Sequence, residues 1–258
     1  MTLVAIAGAL LVYMTAAFGL AVARRDNSIA DIAWGGGFVL VALIAAALGV
    51  GALPRPILLT ALVVVWSARL AIHVLLRNRG RGEDPRYAAW RREWGRFWVV
   101  RSYFQVFVLQ GAILLVVAAG IIVVNTRSGP GLGALDLLGA LVVVAGLACE
   151  AVADLQLARF IRDPANHDRV MDRGLWRYSR HPNYFGEAVV WWGIWLIALS
   201  VPGGWWAVVS PLAITFLLLK VSGVPMLERL MEGRPGWAEY KARTSVFVPL
   251  PPRPVPPA

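Results

Sequence analysis

Two pairs of side chains in the C-terminal half of this sequence carry hydrogen-bonding chemistry at helical spacing. Glu150 and Asp154 are four residues apart, as are Asn183 and Glu187, so each pair shares one helix face. Asn183 can donate and accept while an ionised Glu187 accepts, so together they can read a carboxamide. Basic residues stand beside both pairs, with Arg159 and Arg162 after the first and Arg177, Arg180 and His181 before the second. A guanidinium grips phosphate through two parallel hydrogen bonds. Acid at depth and arginine at the mouth suit a ligand with an anionic end outside and a hydrogen-bonding end buried, the shape of a diphosphate nucleotide. His181 taken alone reads equally as a satisfied interfacial histidine.

The N-terminal half holds a third constellation. Asn27, Asp31 and Trp34 follow one another at helical spacing, and Gly35-Gly36-Gly37 comes next. The glycine run permits close approach of either another helix or a ligand. Arg69 and His73 are again four apart, after Trp66. Arg69 either snorkels to an interface or pairs with Asp31 or a ligand. The stretch Arg77-Asn78-Arg79-Gly80-Arg81-Gly82 alternates guanidinium forks with an amide and glycines, which suits a phosphate and equally a basic membrane-edge loop.

The elements that position these groups are apolar. The chain of 258 residues is 59% hydrophobic and 16% charged, with twelve tryptophans, whereas a soluble domain carries about a quarter charged residues. Runs of roughly 20 apolar residues span a bilayer. Seven are expected, over 2–23, 29–52, 56–76, 102–125, 132–157, 183–201 and 205–222. The first lacks a basic leader and a small-residue cleavage site, and reads as a retained helix. Asp31 and Glu187 fall inside spans, where an ionisable group is costly and marks function.

Charge placement orients the set. Of the 25 Lys and Arg residues, Arg55 and Arg127 fall in outer loops, Arg69 lies within the third span, and the other 22 lie on the opposite side. The positive-inside rule then puts the N-terminus outside and the C-terminus in the cytoplasm, as an odd number of spans requires. The formal charge of +10 is a topology signal and an attraction to anionic membrane lipid, and no nucleic-acid partner is expected. A single cysteine, Cys149 in an apolar helix, disfavours disulfides, zinc and thiol redox chemistry; no metal is expected. Residues 1–258 read as one membrane-embedded domain, ending in a Pro-rich strap over 248–258.

The run Gly174-Leu175-Trp176-Arg177-Tyr178-Ser179-Arg180-His181-Pro182-Asn183-Tyr184-Phe185-Gly186-Glu187 resembles the C-terminal signature of the steroid 5-alpha-reductase family. The whole chain is similar to that family's bacterial branch, long catalogued as an uncharacterised membrane domain. Asp31-Ile32-Ala33-Trp34-Gly35 and the stretch from Ser102 to Gln110 are typical of the branch, and the likeness is strongest over about 150–250. It implies a seven-helix integral membrane reductase, in a bacterial inner membrane, that uses NADPH to reduce a carbon–carbon double bond conjugated to a ketone. The substrate would be a 3-oxo-4-ene steroid or a similar apolar enone.

Carried over by position, the resemblance implies that Asp154, Tyr178, Asn183 and Glu187 hold the cofactor, with Asn78, Arg79 and Arg81 on the nucleotide. Glu150, Arg159, Arg162, Arg180 and His181 join this expected set from their placement. Asp31 stands where the family engages the ketone, with Trp66 or Arg69 near the place of a family tyrosine that has no clear counterpart here. The expected catalytic residues are therefore Asp31, Trp66, Arg69 and Glu187, and the expected substrate residues Asn27, Asp31, Trp34 and Trp66. The Arg-His-Pro-x-Tyr motif is shared with S-adenosylmethionine-dependent membrane methyltransferases of the isoprenylcysteine carboxyl and phospholipid type. Those usually carry a Glu-Glu pair after the final helix, where this chain reads Met226-Leu227-Glu228-Arg229. A non-catalytic lipid-binding or transporter-like bundle gives no reason for the three constellations.

Overall fold

The computed structural model describes residues 1–49, 54–78 and 82–254. All regular structure among them is helical. The long helices are α1 (Thr2–Arg24), α2 (Ile29–Leu48) and α3 (Pro54–Asn78), followed by the short α4 (Pro85–Trp94) and α5 (Trp98–Arg101). A π-helical stretch, Ser102–Val108, leads into α6 (Leu109–Val117) and α7 (Ala119–Thr126). Then come α8 (Ala134–Arg162), α9 (Pro182–Ala198), α10 (Val209–Phe216), α11 (Val224–Met231) and α12 (Trp237–Arg243).

Among the described residues, six helical runs are long and apolar enough to cross a membrane: Thr2–Arg24, Ile29–Leu48, Pro54–Asn78, Pro85–Val117, Ala134–Arg162 and Gly204–Met231. The remaining expected span corresponds to α9. Its 17 residues make about 25 Å at 1.5 Å per residue, at the short end of what a bilayer core needs.

The chain divides into two compact units, Met1–Leu137 with Ile197–Ser210, and Leu138–Leu196 with Pro211–Ala258. In the first unit α2 packs on α1, α3, α6 and α7. The glycine run makes this possible: a methyl at Gly36 would strike the Tyr13 hydroxyl, and one at Gly37 would lie 2.5 Å from Leu114 Cδ1. Those two glycines therefore serve helix packing. Buried Asn125 on α7 donates to the Ala42 carbonyl (2.9 Å) and to Thr60 Oγ1 (3.2 Å), tying α7 to α2 and α3. Polar groups in hydrocarbon need such partners.

The first unit also holds a buried ion pair that the sequence did not advertise. Arg55 Nε and Nη2 donate to the two Asp136 oxygens at 2.6 and 2.9 Å, and Nη2 also reaches the Gly131 carbonyl. Asp136 accepts the Gly133 amide besides. The other outer-loop arginine, Arg127, donates to the Pro202 carbonyl at 2.6 Å.

The second unit is built on a glycine seam between α8 and α9. A methyl at Gly146 would sit 2.7 Å from the Gly186 carbonyl oxygen, and one at Gly186 would sit 2.8 Å from the Glu150 amide. A methyl at Gly193 would lie 2.8 Å from the Gly139 carbonyl. Small residues let membrane helices approach backbone to backbone. Glycines seven apart on each helix keep one stripe facing the partner.

Candidate functional site

In the first unit the polar side chains gather around Asp31. The Tyr87 hydroxyl of α4 donates to Asp31 Oδ1 at 2.7 Å, and Arg86 Nη2 donates to Oδ2 at 3.0 Å. Arg77 lies 3.8 Å from the same oxygen. Gln110 Nε2 donates to the Tyr87 oxygen at 3.3 Å, and its own Oε1 is buried without a partner among the described residues. Asp31 is thus a hydrogen-bond acceptor at both oxygens.

Local sequence explains how α4 delivers Tyr87. Asp84 caps the helix by accepting the Arg86 amide, and Pro85 fits the first turn. Asp84 also accepts Arg86 Nε and Nη2 at 2.9 and 3.0 Å. Burial pushes the Asp84 carboxyl up, but the hydrogen bonds and charge of Arg86 outweigh it and hold the group below the usual carboxylate range. Ser28 Oγ accepts the Asp84 amide at 2.8 Å, docking this corner on the start of α2.

Asn27 does not share a helix face with Asp31 as its spacing suggested, because α2 begins at Ile29. From the preceding turn its amide donates to Ser102 Oγ at 2.9 Å, its backbone N–H donates to Glu83 Oε1, and its Oδ1 stays buried without a partner. Trp34 and Trp66 are joined through Phe38, edge to face, with ring centres 5.2 and 5.6 Å apart. Trp66 is fully buried, whereas Arg69, a turn further along α3, is half-buried. Asn78 ends α3 and accepts Arg77 Nε at 3.2 Å. Arg79 and Arg81 lie outside the described residues.

In the second unit the seam brings α8 and α9 together at the predicted acids. Asn183 Nδ2 donates to Asp154 Oδ1 at 3.1 Å, and the Asn183 Oδ1 is buried without a partner among the described residues. Asp154 and Glu150 are both buried, and Glu187 is half-buried one turn after Asn183. The Trp176 indole donates to the Ala153 carbonyl at 3.0 Å, and Gln156 Oε1 accepts the Leu175 amide, so the signature turn is fastened to α8. Arg159, Arg162 and Tyr178 are exposed.

Arg180 and His181 are turned inward. Arg180 Nη1 donates to the Lys241 and Thr244 carbonyls at 2.7 and 3.3 Å. Its Nε lies 2.9 Å from Glu228 Oε1, a charge contact whose N–H is not aimed at the oxygen. His181 is 3% exposed. It stacks on Tyr184 with ring centres 5.5 Å apart, and its Nε2 is 3.4 Å from Glu228. Burial, joined by the charge of Arg180, depresses its pKa to about 4 against the pull of Glu228.

The reason for this inward turn is the C-terminal segment. Ser179 bridges Ser245, the Arg180 amide donates to the Ser245 carbonyl, Ser179 Oγ donates to the Phe247 carbonyl, and the Leu250 amide donates to the Tyr178 carbonyl. Tyr240 donates to the Trp176 carbonyl at 2.6 Å, and burial pushes its phenol up. The segment from Ser245 to Leu250 thus lies along the signature, and no sequence signal marks that pairing.

Sequence reading missed Tyr87. Tyr87 is a buried residue of a short helix capped by Asp84, and no local pattern marks its pairing with Asp31, 56 residues away.

Together these features define an all-helical transmembrane protein with one polar cluster in each of its two units. The family model of DUF1295, described as a protein of unknown function, matches residues 17–244, and the chain belongs to that family. No curated protein and no solved structure matches it.

Proposed function

We propose that this protein is an NADPH-dependent membrane reductase of conjugated enones, 3-oxo-4-ene steroids or similar apolar ketones, in a bacterial inner membrane. α9 counts as a seventh span, the N-terminus lies outside, and the nucleotide arrives from the cytoplasm. The observation that carries this reading is Asn183, an amide oriented by Asp154 whose buried oxygen has no partner among the described residues. A buried unsatisfied acceptor costs about 1–3 kcal/mol, and a carboxamide N–H would relieve it. The donor set therefore fits a nicotinamide. Glu150, Glu187 and Tyr178 complete that end, and Arg159 and Arg162, exposed on the surface, meet the phosphates.

Bound NADPH supplies the hydride that adds at the β-carbon; the other roles fall to the chain. Tyr87 is the donor to the ketone oxygen, because Asp31 accepts at both of its oxygens. Asp31, Arg86 and Gln110 orient the phenol until substrate arrives. The resulting enolate keeps the Tyr87 hydroxyl as hydrogen-bond donor on its oxygen and takes a proton from water at the α-carbon. Trp34 and Trp66 give the enone an apolar wall. Arg180 and His181 act as positioning residues that hold Asn183 at the start of α9.

The test is NADPH oxidation by the purified protein in detergent, followed by absorbance, with progesterone or testosterone as substrate. Tyr87→Phe is expected to lower kcat about 100-fold while NADPH binding persists, and Glu187→Ala to abolish turnover. Absence of NADPH binding together with methyl transfer from S-adenosylmethionine would replace this reading with the methyltransferase one. The lone Glu228, already met by Arg180, Lys241 and His181, speaks against that outcome.

A further inference from the structure

The loop between α8 and α9 holds an open cavity of about 490 Å³ lined by Asp172, Arg173, Gly174, Arg177, Arg243 and Pro252. Arg243 Nη2 is anchored on Asp172 at 2.5 Å, and the Arg243 carbonyl accepts the Arg253 amide. Among the described residues neither Arg173 nor Arg177 has a side-chain partner, and both are exposed. Three guanidiniums against one carboxylate leave the lining with a net charge of +2. The adjoining hollow shares Asp172, Arg173 and Arg243 and adds Arg169, Asp168 and Glu239, three arginines against three carboxylates with no net charge, so the positive side is the one that Arg177 lines.

The turn that aims the two free arginines is fixed. Gly174 has φ +59°, and a methyl there would press on the Gln156 amide that accepts the Leu175 N–H. Only a short 3-10 turn, Gly174–Arg177, separates Arg173 from Arg177. Two forks held open toward one hollow, with a third pinned beside them, match a group that carries two negative charges and three acceptor oxygens.

We infer that the Arg173/Arg177/Arg243 cavity is a binding site for a phosphate monoester dianion. None of the residues that the reductase reading assigns lines it, and the inference stands independently of that reading. The ester arrives either free in solution or as the headgroup of a phosphatidic-acid-type lipid.

The experiment uses the full chain in detergent. Inorganic phosphate is titrated at fixed ionic strength, with calorimetry as readout. Native mass spectrometry separately compares retention of phosphatidic acid with that of phosphatidylcholine bearing the same acyl chains. Saturable binding in either arm is expected to weaken about tenfold or more in Arg173→Gln/Arg177→Gln and to be unchanged in Arg92→Gln. Binding of phosphate itself identifies a soluble ester; retention of phosphatidic acid alone identifies a lipid. Binding in neither arm, or equal binding by the double variant, overturns the site. If the double variant does not fold, as judged by its thermal transition, Arg177→Gln alone decides by the same criterion. Because no nucleotide is used, failure of NADPH binding leaves this result untouched.

Discussion

Arg55 and Asp136 form a pair with two hydrogen bonds, 5% and 1% exposed. Removing one partner strands a buried charge, which costs about 3–5 kcal/mol, whereas replacing both by apolar groups of similar size is close to neutral. Asp136→Ala is therefore expected to lower the thermal midpoint in detergent strongly, and Arg55→Leu/Asp136→Leu to recover most of it. An additive loss in the double variant would show that the pair acts otherwise. His181 makes a second prediction at this scale. Its folded pKa of about 4 lies below the unfolded value of about 6.5, so the unfolded chain takes up the proton first. Stability is then full above about pH 6.5 and falls as pH drops toward 4, by on the order of 3 kcal/mol. Unfolding midpoints measured against pH should show this slope, and His181→Gln should flatten it.

At the scale of elements, the seam between α8 and α9 decides where the acids of one helix meet the amide of the other. Gly146, Gly186 and Gly193 each face opposing backbone within 2.8 Å of where a methyl would sit. Backbone cannot swing aside as a side-chain end can, so Gly193→Val is expected to cost at least the 1–3 kcal/mol of an overpacked core. Gly8 on α1 meets nothing within 4 Å, and Gly8→Ala should be neutral or stabilising by up to about 1 kcal/mol. Thermal denaturation of the two variants side by side distinguishes them. Equal effects would mean that the seam does not set the helix spacing. The apolar runs that make α8 and α9 were legible from composition and length alone. The seam was not, since glycines occur throughout and only the register of one helix on another tells which of them face backbone.

For the whole molecule, the distribution of basic residues predicts sidedness. Of the two arginines assigned to the outer side, Arg55 is neutralised by Asp136, while Arg127 is exposed and donates to the Pro202 carbonyl, so little net positive charge there opposes the rule. In a Cys149→Ser background, a cysteine at Arg173 should react with a membrane-impermeant maleimide only after the cells are opened, and a cysteine at Ser128 should react in intact cells. The reverse pattern, or labelling of both from one side, would overturn the orientation.

Sequence alone determined the helical, membrane-crossing character of the chain and the adjacency of residues one turn apart inside its helices, because length, hydropathy and a 3.6-residue period are local properties; where a helix starts is less local, and Asn27 falls before α2. It also placed Asp154 and Asn183 in one candidate site, and they share a hydrogen bond. Tertiary structure decided the rest. Tyr87 meets Asp31 across 56 residues, Arg180 turns from the surface toward carbonyls more than 60 residues away, and Arg55 finds Asp136 across 81. Such partners follow from how helices and a terminal strap pack, and an arginine reads alike in sequence whether it meets a ligand or a carbonyl of its own chain.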